Sequence, residues 1–438
     1  MISDAARAAL ERADGYAASG HFEEAVAAFE EALKGIDPRA DAESRQAFVR
    51  AHVDAGVAHG NANRSREELA HYEIALGETA GEASLDSLAL RAMANSVTPL
   101  HELGRMRDAI ARCEEIAARF SGRGEFAGTV AEAAVQKGVL QREAGLPEEA
   151  ERTLMAVLAS NAAAMDPANW AFGVMTLGEL LAARGEEEGA VRSGGTLVRA
   201  ALGAPLPVRT IMAHALETYA SRLDEMGLPN LSLPVREAML RAFTADESEE
   251  MADRLDTARA GRAAALDAMD AEGTVAAWEE TIAALAPRAL SRPNARRHLA
   301  LARARRVSAL AHAGRIADAD AAWAELRMSW DAEDPALRAE LAEAVGMALV
   351  FYAAMVFESG RAREAADVFG AIAALVARDA PRSDLIAATS FNRGIALESL
   401  GEIAAARAIW EEVVRQFDGA GGGASDIVAA AREKLAAR

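Results

Sequence analysis

The sequence predicts an all-α protein made of stacked helical hairpins. Glycine recurs at a fixed phase, at Gly20, Gly104, Gly145, Gly185, Gly227, Gly314, Gly360 and Gly401, each ending one helical pattern and opening another. The gaps are 84, 41, 40, 42, 87, 46 and 41 residues, so 84 and 87 read as two periods that lack one glycine. A period of this size marks a repeat array, in which each unit packs on its neighbours. Composition agrees. Apolar residues make up 51% of the 438 while aromatics make up only 5%, and an alanine-dominated chain suits close helix-on-helix packing better than sheets.

The first unit, ALERADGYAASGHFEEAVAAFEEAL from Ala9 to Leu33, shows the pattern. Small Ala13 precedes large Tyr16, Gly20 makes the turn, and Ala25, Phe29 and Ala32 share one helix face at i, i+4 and i+7. The pattern returns as Gly138, Gly145, Ala150 and Leu154; as Gly178, Gly185 and Ala190; as Gly314, Ala319 and Trp323; and as Gly394, Gly401, Ala406 and Trp410. These segments resemble the tetratricopeptide (TPR) repeat. A small residue on the first helix lets the second approach, alanine on the second receives a large side chain, and glycine lets the turn adopt positive φ. The resemblance implies a right-handed α-solenoid of about ten hairpins. Units are expected to begin near residues 6, 49, 90, 131, 171, 213, 255, 300, 346 and 387. That spacing exceeds the ~34 residues of the usual unit and looks like a long-repeat branch.

Units two and seven depart from the pattern, with Asn63 in place of the turn glycine and Gly273 displaced, and unit six carries Pro229 and Pro234. The acidic stretch TADESEEMAD, from Thr244 to Asp253, separates units six and seven, and Thr244 with Glu247 fits a capping box. The chain is therefore read as repeats one to six over 1–243 and repeats seven to ten over 244–418, in one continuous array. Gly419 to Gly423 breaks the pattern. The segment from Ser425 to Arg438 reads as a capped amphipathic helix, within a terminal region of 424–438 that covers the open end.

The formal charge of −20 and pI near 5.0 argue against a nucleic-acid or anionic-membrane binder, since both need a basic surface. The N-terminus lacks the basic and apolar regions of an export signal, so a cytoplasmic location is expected. The longest uncharged run, Ala344 to Phe357, has 14 residues, short of the ~20 that cross a bilayer. Cys113 falls at an apolar helix position and is expected to be buried. Eight histidines form no HExxH motif, and His52 with His59, seven apart on one helix, reads as a packed or solvated pair. There is no GxGxxG, GxxxxGK[ST] or GxSxG. Neither enzyme chemistry, a metal nor a cofactor is expected.

In proteins with this repeat the first helix of each hairpin lines a concave face. At its sixth position this chain carries Asp54, Asn95, Gln136, Thr176, Thr218, Arg305 and Asn392. The resemblance implies that amides there hydrogen-bond an extended peptide, because an amide offers both the donor and the acceptor that a peptide backbone matches. Pro99 lies four residues after Asn95 and frees its carbonyl. The unit-nine stretch from Gly346 to Phe357 is apolar on all sides. Met347, Phe351 and Phe357 fall at groove phases, with Phe391 in the next unit, and are expected as apolar anchors. Trp278, Trp323 and Trp410, like Phe29 and Tyr72, sit at core phases. Between Arg288 and Arg306 lie seven arginines and no acid, either paired with neighbouring acids or open to a carboxylate or phosphate. A terminal-carboxylate clamp is absent, since its places hold Leu10 and Asp14. The expected function is a non-catalytic scaffold binding a protein or peptide. The competing readings are a ligand-responsive regulator without a DNA-binding domain and a structural subunit of a homo-oligomer.

Overall fold

The computed structural model describes residues 2–160, 164–244, 246, 248–378, 380, 383–419 and 423–437. Among these it has 21 α-helices and no strand. Twenty of them pair into ten hairpins: α1 (Asp4–Ala18) with α2 (Phe22–Lys34), α3 (Ala42–Asn61) with α4 (Ser65–Thr79), α5 (Asp86–Glu102) with α6 (Met106–Phe120), α7 (Ala127–Glu143) with α8 (Pro147–Ser160), and α9 (Pro167–Ala183) with α10 (Glu187–Ala201). The series continues with α11 (Leu206–Glu225) and α12 (Pro229–Phe243), α13 (Glu249–Ala268) and α14 (Thr274–Leu285), α15 (Pro293–His312) and α16 (Ile316–Asp331), α17 (Pro335–Glu358) and α18 (Ala362–Ala377), then α19 (Asp384–Ser399) and α20 (Ile403–Phe417). The last helix is α21 (Gly423–Ala436). First helices of 20 residues in α3, α11, α13 and α15, and of 24 in α17, explain the long spacing. They begin one to three turns before the unit starts read from the sequence.

All ten hairpin turns close in one way. In the first, the Gly20 N–H donates to the Ala17 carbonyl and the His21 N–H to the Tyr16 carbonyl, the crossed pair that satisfies the last carbonyls of a helix ending in a left-handed residue. Every ladder glycine has positive φ. Asn63 stands in at φ 57°, and the same pair of bonds forms, from the Asn63 N–H to the Gly60 carbonyl and from the Arg64 N–H to the His59 carbonyl. Asn is the residue other than Gly that best tolerates this region. In unit seven the left-handed place passes to Asp270 at φ 49°, and Gly273, at φ 94°, forms the N-cap of α14.

Hairpins close by seating a large side chain on a small residue. A Cβ added to Gly138 would lie 2.6 Å from Leu154, one on Gly56 2.4 Å from the Tyr72 ring, and one on Gly394 2.2 Å from the Trp410 indole nitrogen. Ala25, Ala109, Ala150, Ala190, Ala319, Ala365 and Ala406 are fully buried opposite. Phe29, Tyr72, Trp278, Trp323 and Trp410 are core, as is Cys113, whose thiol is pushed up to about 12 by burial.

The chain divides into two compact units, residues 1–219 and 220–438, within the sixth hairpin rather than at the acidic stretch beginning at Thr244. α12 and α13 pack closely across that stretch, with Arg236 against Gly261. Thr244 is the C-cap of α12, its hydroxyl donating to the Leu240 carbonyl, while Ser248 precedes α13. Glu247, the other half of the expected capping box, lies outside the described residues, as do 420–422 in the expected break. In the second unit α21 packs on α19 and α20 through Ala424, Val428 and Ala431. Its first turn begins at Gly423, so Ser425 lies inside the helix rather than capping it.

Candidate functional site

Asn95 and Gln136 converge on one feature of the first unit. They line a polar cleft of about 520 Å³ together with Asn61, Asn63, Glu68 and Glu102. Each group arrives from a different part of the repeat. Asn61 ends α3, Asn63 makes the turn, Glu68 and Tyr72 lie on α4, Asn95 and Glu102 on α5, and Gln136 on α7. α5 runs unbroken through Pro99.

Glu68 is the unusual member. It is 9% exposed, and its carboxyl rests against α3 at Gly60, where an added Cβ would come within 2.8 Å of it. The Tyr72 hydroxyl donates to Glu68 Oε1 at 3.2 Å and faces the same cleft as the Asn95 side chain. Burial disfavours the charged carboxylate and pushes Glu68 up to about 7, with the nearby Glu102 adding to the rise. The other buried carboxylates among the described residues hold arginines: Asp86 pairs with Arg119 and Arg123, Glu179 with Arg142, and Asp256 with Arg259 and Arg288. Glu68 has no cationic partner among the described residues. The groove phase does not sample Glu68, which sits on a second helix. The signal available in the sequence was Asn63 replacing the turn glycine, with Glu68 one turn beyond.

The remaining sixth-position residues do not join this cleft. Asp54 pairs with Arg91 and Arg50. Thr176 is a correction: it is fully buried, and its hydroxyl donates to the Phe172 carbonyl of its own helix. α7 and α9 pack directly on one another, which closes the face that stays open at α5. Thr218 on α11 is half-buried.

In the second unit, Arg305 is exposed and lies 3.7 Å from Asp267, whose carboxyl burial raises above its ordinary range. His312 pairs with Asp270 at 2.9 Å and stacks on Phe351, with ring centroids 4.9 Å apart. Met347 and Phe351 are 62% and 39% exposed, but Val345, Leu349, Tyr352 and Val356 of the same helix are core. By length and composition α17 could cross a membrane, yet half of its apolar window is buried in the unit. Two of the expected anchors serve packing. Phe357 is half-buried against both neighbouring cores, and Phe391 packs on Trp410, its carbonyl accepting the indole N–H at 3.2 Å. Asn392 is half-buried on α19. The arginine run is largely neutralised: Arg288, Arg292, Arg296, Arg297, Arg305 and Arg306 each meet a carboxylate.

His52 and His59 gain a third member that the sequence reading missed. His71 on α4 stands with ring centroids 5.0 Å from each, and the Nδ1 atoms of His52 and His71 are 2.9 Å apart. Both ring nitrogens of His59 are buried without a hydrogen-bond partner. No group of three or more His, Cys, Asp or Glu among the described residues is arranged to hold a metal ion.

Small residues on the first helices, large ones seated on them from the second, and a left-handed turn between recur throughout. The repeats are TPR-like. No family model and no curated protein matches the chain. Among solved structures it is similar to a tetratricopeptide repeat protein from Parabacteroides merdae ATCC 43184, at 14% identity and TM-score 0.41, over 68% of this chain and 98% of that one. It is also similar to Pseudomonas aeruginosa PilF, at 18% identity and TM-score 0.36, over 57% of this chain and 95% of that one.

Proposed function

We propose that this protein is a non-catalytic binding scaffold that holds an extended segment of a partner protein in the cleft of its second to fourth hairpins. The observation that carries this reading is the pair of amides, Asn95 and Gln136, in one open polar cavity of about 520 Å³. An extended peptide presents an N–H and a C=O at every residue, and a side-chain amide satisfies both. Such contacts give affinity without sequence preference, and neighbouring groups then set specificity.

The test immobilises the full chain and measures retention of short acetylated, amidated peptides of randomised sequence by mass spectrometry. Replacing both amides, Asn95→Ala with Gln136→Ala, should lower retention by about tenfold, the effect of losing roughly 1.4 kcal/mol of hydrogen bonding. Undiminished retention by a folded double variant rejects the cleft as the binding face.

A further inference from the structure

The cleft contains a buried acid without a base. Among the described residues Asp86, Glu179 and Asp256, the other buried carboxylates, each hold at least one arginine, whereas Glu68 has only the Tyr72 hydroxyl. Glu102 faces the same cavity, and its carboxylate accepts from the Ser65 hydroxyl. The residues lining the cavity include neither Lys, Arg nor His. Of the basic residues on α5, Arg91 is engaged by Asp54 at 2.7 Å and His101 by Glu143 at 2.9 Å. Tyr72 donates to Glu68 from the same helix, and α3 contributes Gly60 and Asn61, so no described residue facing Glu68 neutralises it. A buried carboxylate without a counter-charge is costly, and proteins supply one or leave the group protonated.

We infer that the partner supplies it: the cleft selects a peptide that places a primary ammonium group between Glu68 and Glu102. An ammonium has three donors and no acceptor. Two carboxylates and the amide oxygens of Asn95 or Asn61 complement it, while an anionic group there is repelled by the two acids and an apolar group leaves Glu68 without a counter-charge. With its carboxyl raised to about 7 by burial, Glu68 ionises fully as the cation arrives, so binding strengthens as pH rises through that value. This inference rests on the peptide-binding reading and adds its chemical specificity.

The experiment uses the full chain near pH 8 and three short-peptide libraries with randomised neutral flanks. The first is acetylated with a central lysine, the second acetylated with a central norleucine, and the third has a free N-terminus and no lysine. Retention of the first or the third should exceed that of the second by about tenfold, and which of the two is retained tells a lysine side chain from a chain terminus. Glu68→Gln, checked for folding by circular dichroism, should abolish the preference, and Glu102→Gln at the rim should reduce it. Equal retention of all three libraries, or a preference that survives Glu68→Gln, overturns the inference. If retention is equal but falls in the Asn95→Ala, Gln136→Ala variant, the peptide reading stands and only the cation selectivity fails. If no library is retained, both fail.

Discussion

Gly394 and Trp410 occupy one another's space. The Trp410 indole nitrogen stands where a Gly394 side chain would begin, 2.2 Å from an added Cβ, and its N–H donates to the Phe391 carbonyl one turn earlier on α19. The tenth hairpin therefore closes on an absence. Gly394→Ala should cost about 1–3 kcal/mol by overpacking. Gly15→Ala should act in the opposite sense, by about 0.5–1 kcal/mol, because Gly15 lies on α1 with no atom within 4 Å of an added Cβ. Urea unfolding midpoints of the two variants check both signs. A neutral Gly394→Ala would mean that the small-to-large seat is not what closes the hairpin.

The histidine group makes stability depend on pH. His52 is held down to about 4, and His59 and His71 are lowered too, chiefly because burial disfavours the imidazolium and secondly because neighbouring cations and imidazoles repel it. Glu30, Glu67 and Glu23 act in the other direction on His59, and Glu30 on His71. A group whose folded pKa is depressed binds its proton more readily when unfolded. Stability is therefore complete above the unfolded value of about 6.5 and falls as pH drops from there towards 4. Between pH 7 and 5, His52 alone should cost about 2 kcal/mol. His52→Phe, which keeps an aromatic ring beside Phe48, should flatten the dependence. An unchanged slope in that variant would assign the effect to other groups.

Asp256 is fully buried, and its Oδ1 accepts from Arg288 at 2.8 Å and Arg259 at 3.0 Å. Arg288→Met leaves a desolvated carboxylate with half its support and should destabilise by about 3 kcal/mol. Adding Asp256→Asn should recover much of that loss, because the remaining arginine no longer faces an underpaired buried charge. A thermodynamic cycle over the two single variants and the double measures the coupling. Additive losses would show that the pair is not coupled.

The hairpin turns and core were legible in the sequence because their causes are local. A left-handed residue is needed at each turn whatever surrounds it, so the glycine ladder printed the repeat directly, and Asn63 could be recognised as its substitute. Periodic alanines and aromatics announced the buried faces in the same way. The site was only half legible. Phase picked out Asn95 and Gln136, which line one cavity, but Thr176 has the same phase and is buried, since the spacing between successive first helices varies and no single repeat encodes it. Phe357 and Phe391 looked like anchors for the same reason.

What the sequence determined by itself was the succession of helices, their turns and the faces they bury, all set by φ preference and apolar periodicity within some forty residues. The tertiary structure alone decided which polar groups face a common space. It brought Glu68 against Gly60 without a cation, set His71 beside His52 and His59, and gave six of the seven clustered arginines to acids. Those outcomes depend on distances between neighbouring helices, and such distances follow from how every side chain between them packs.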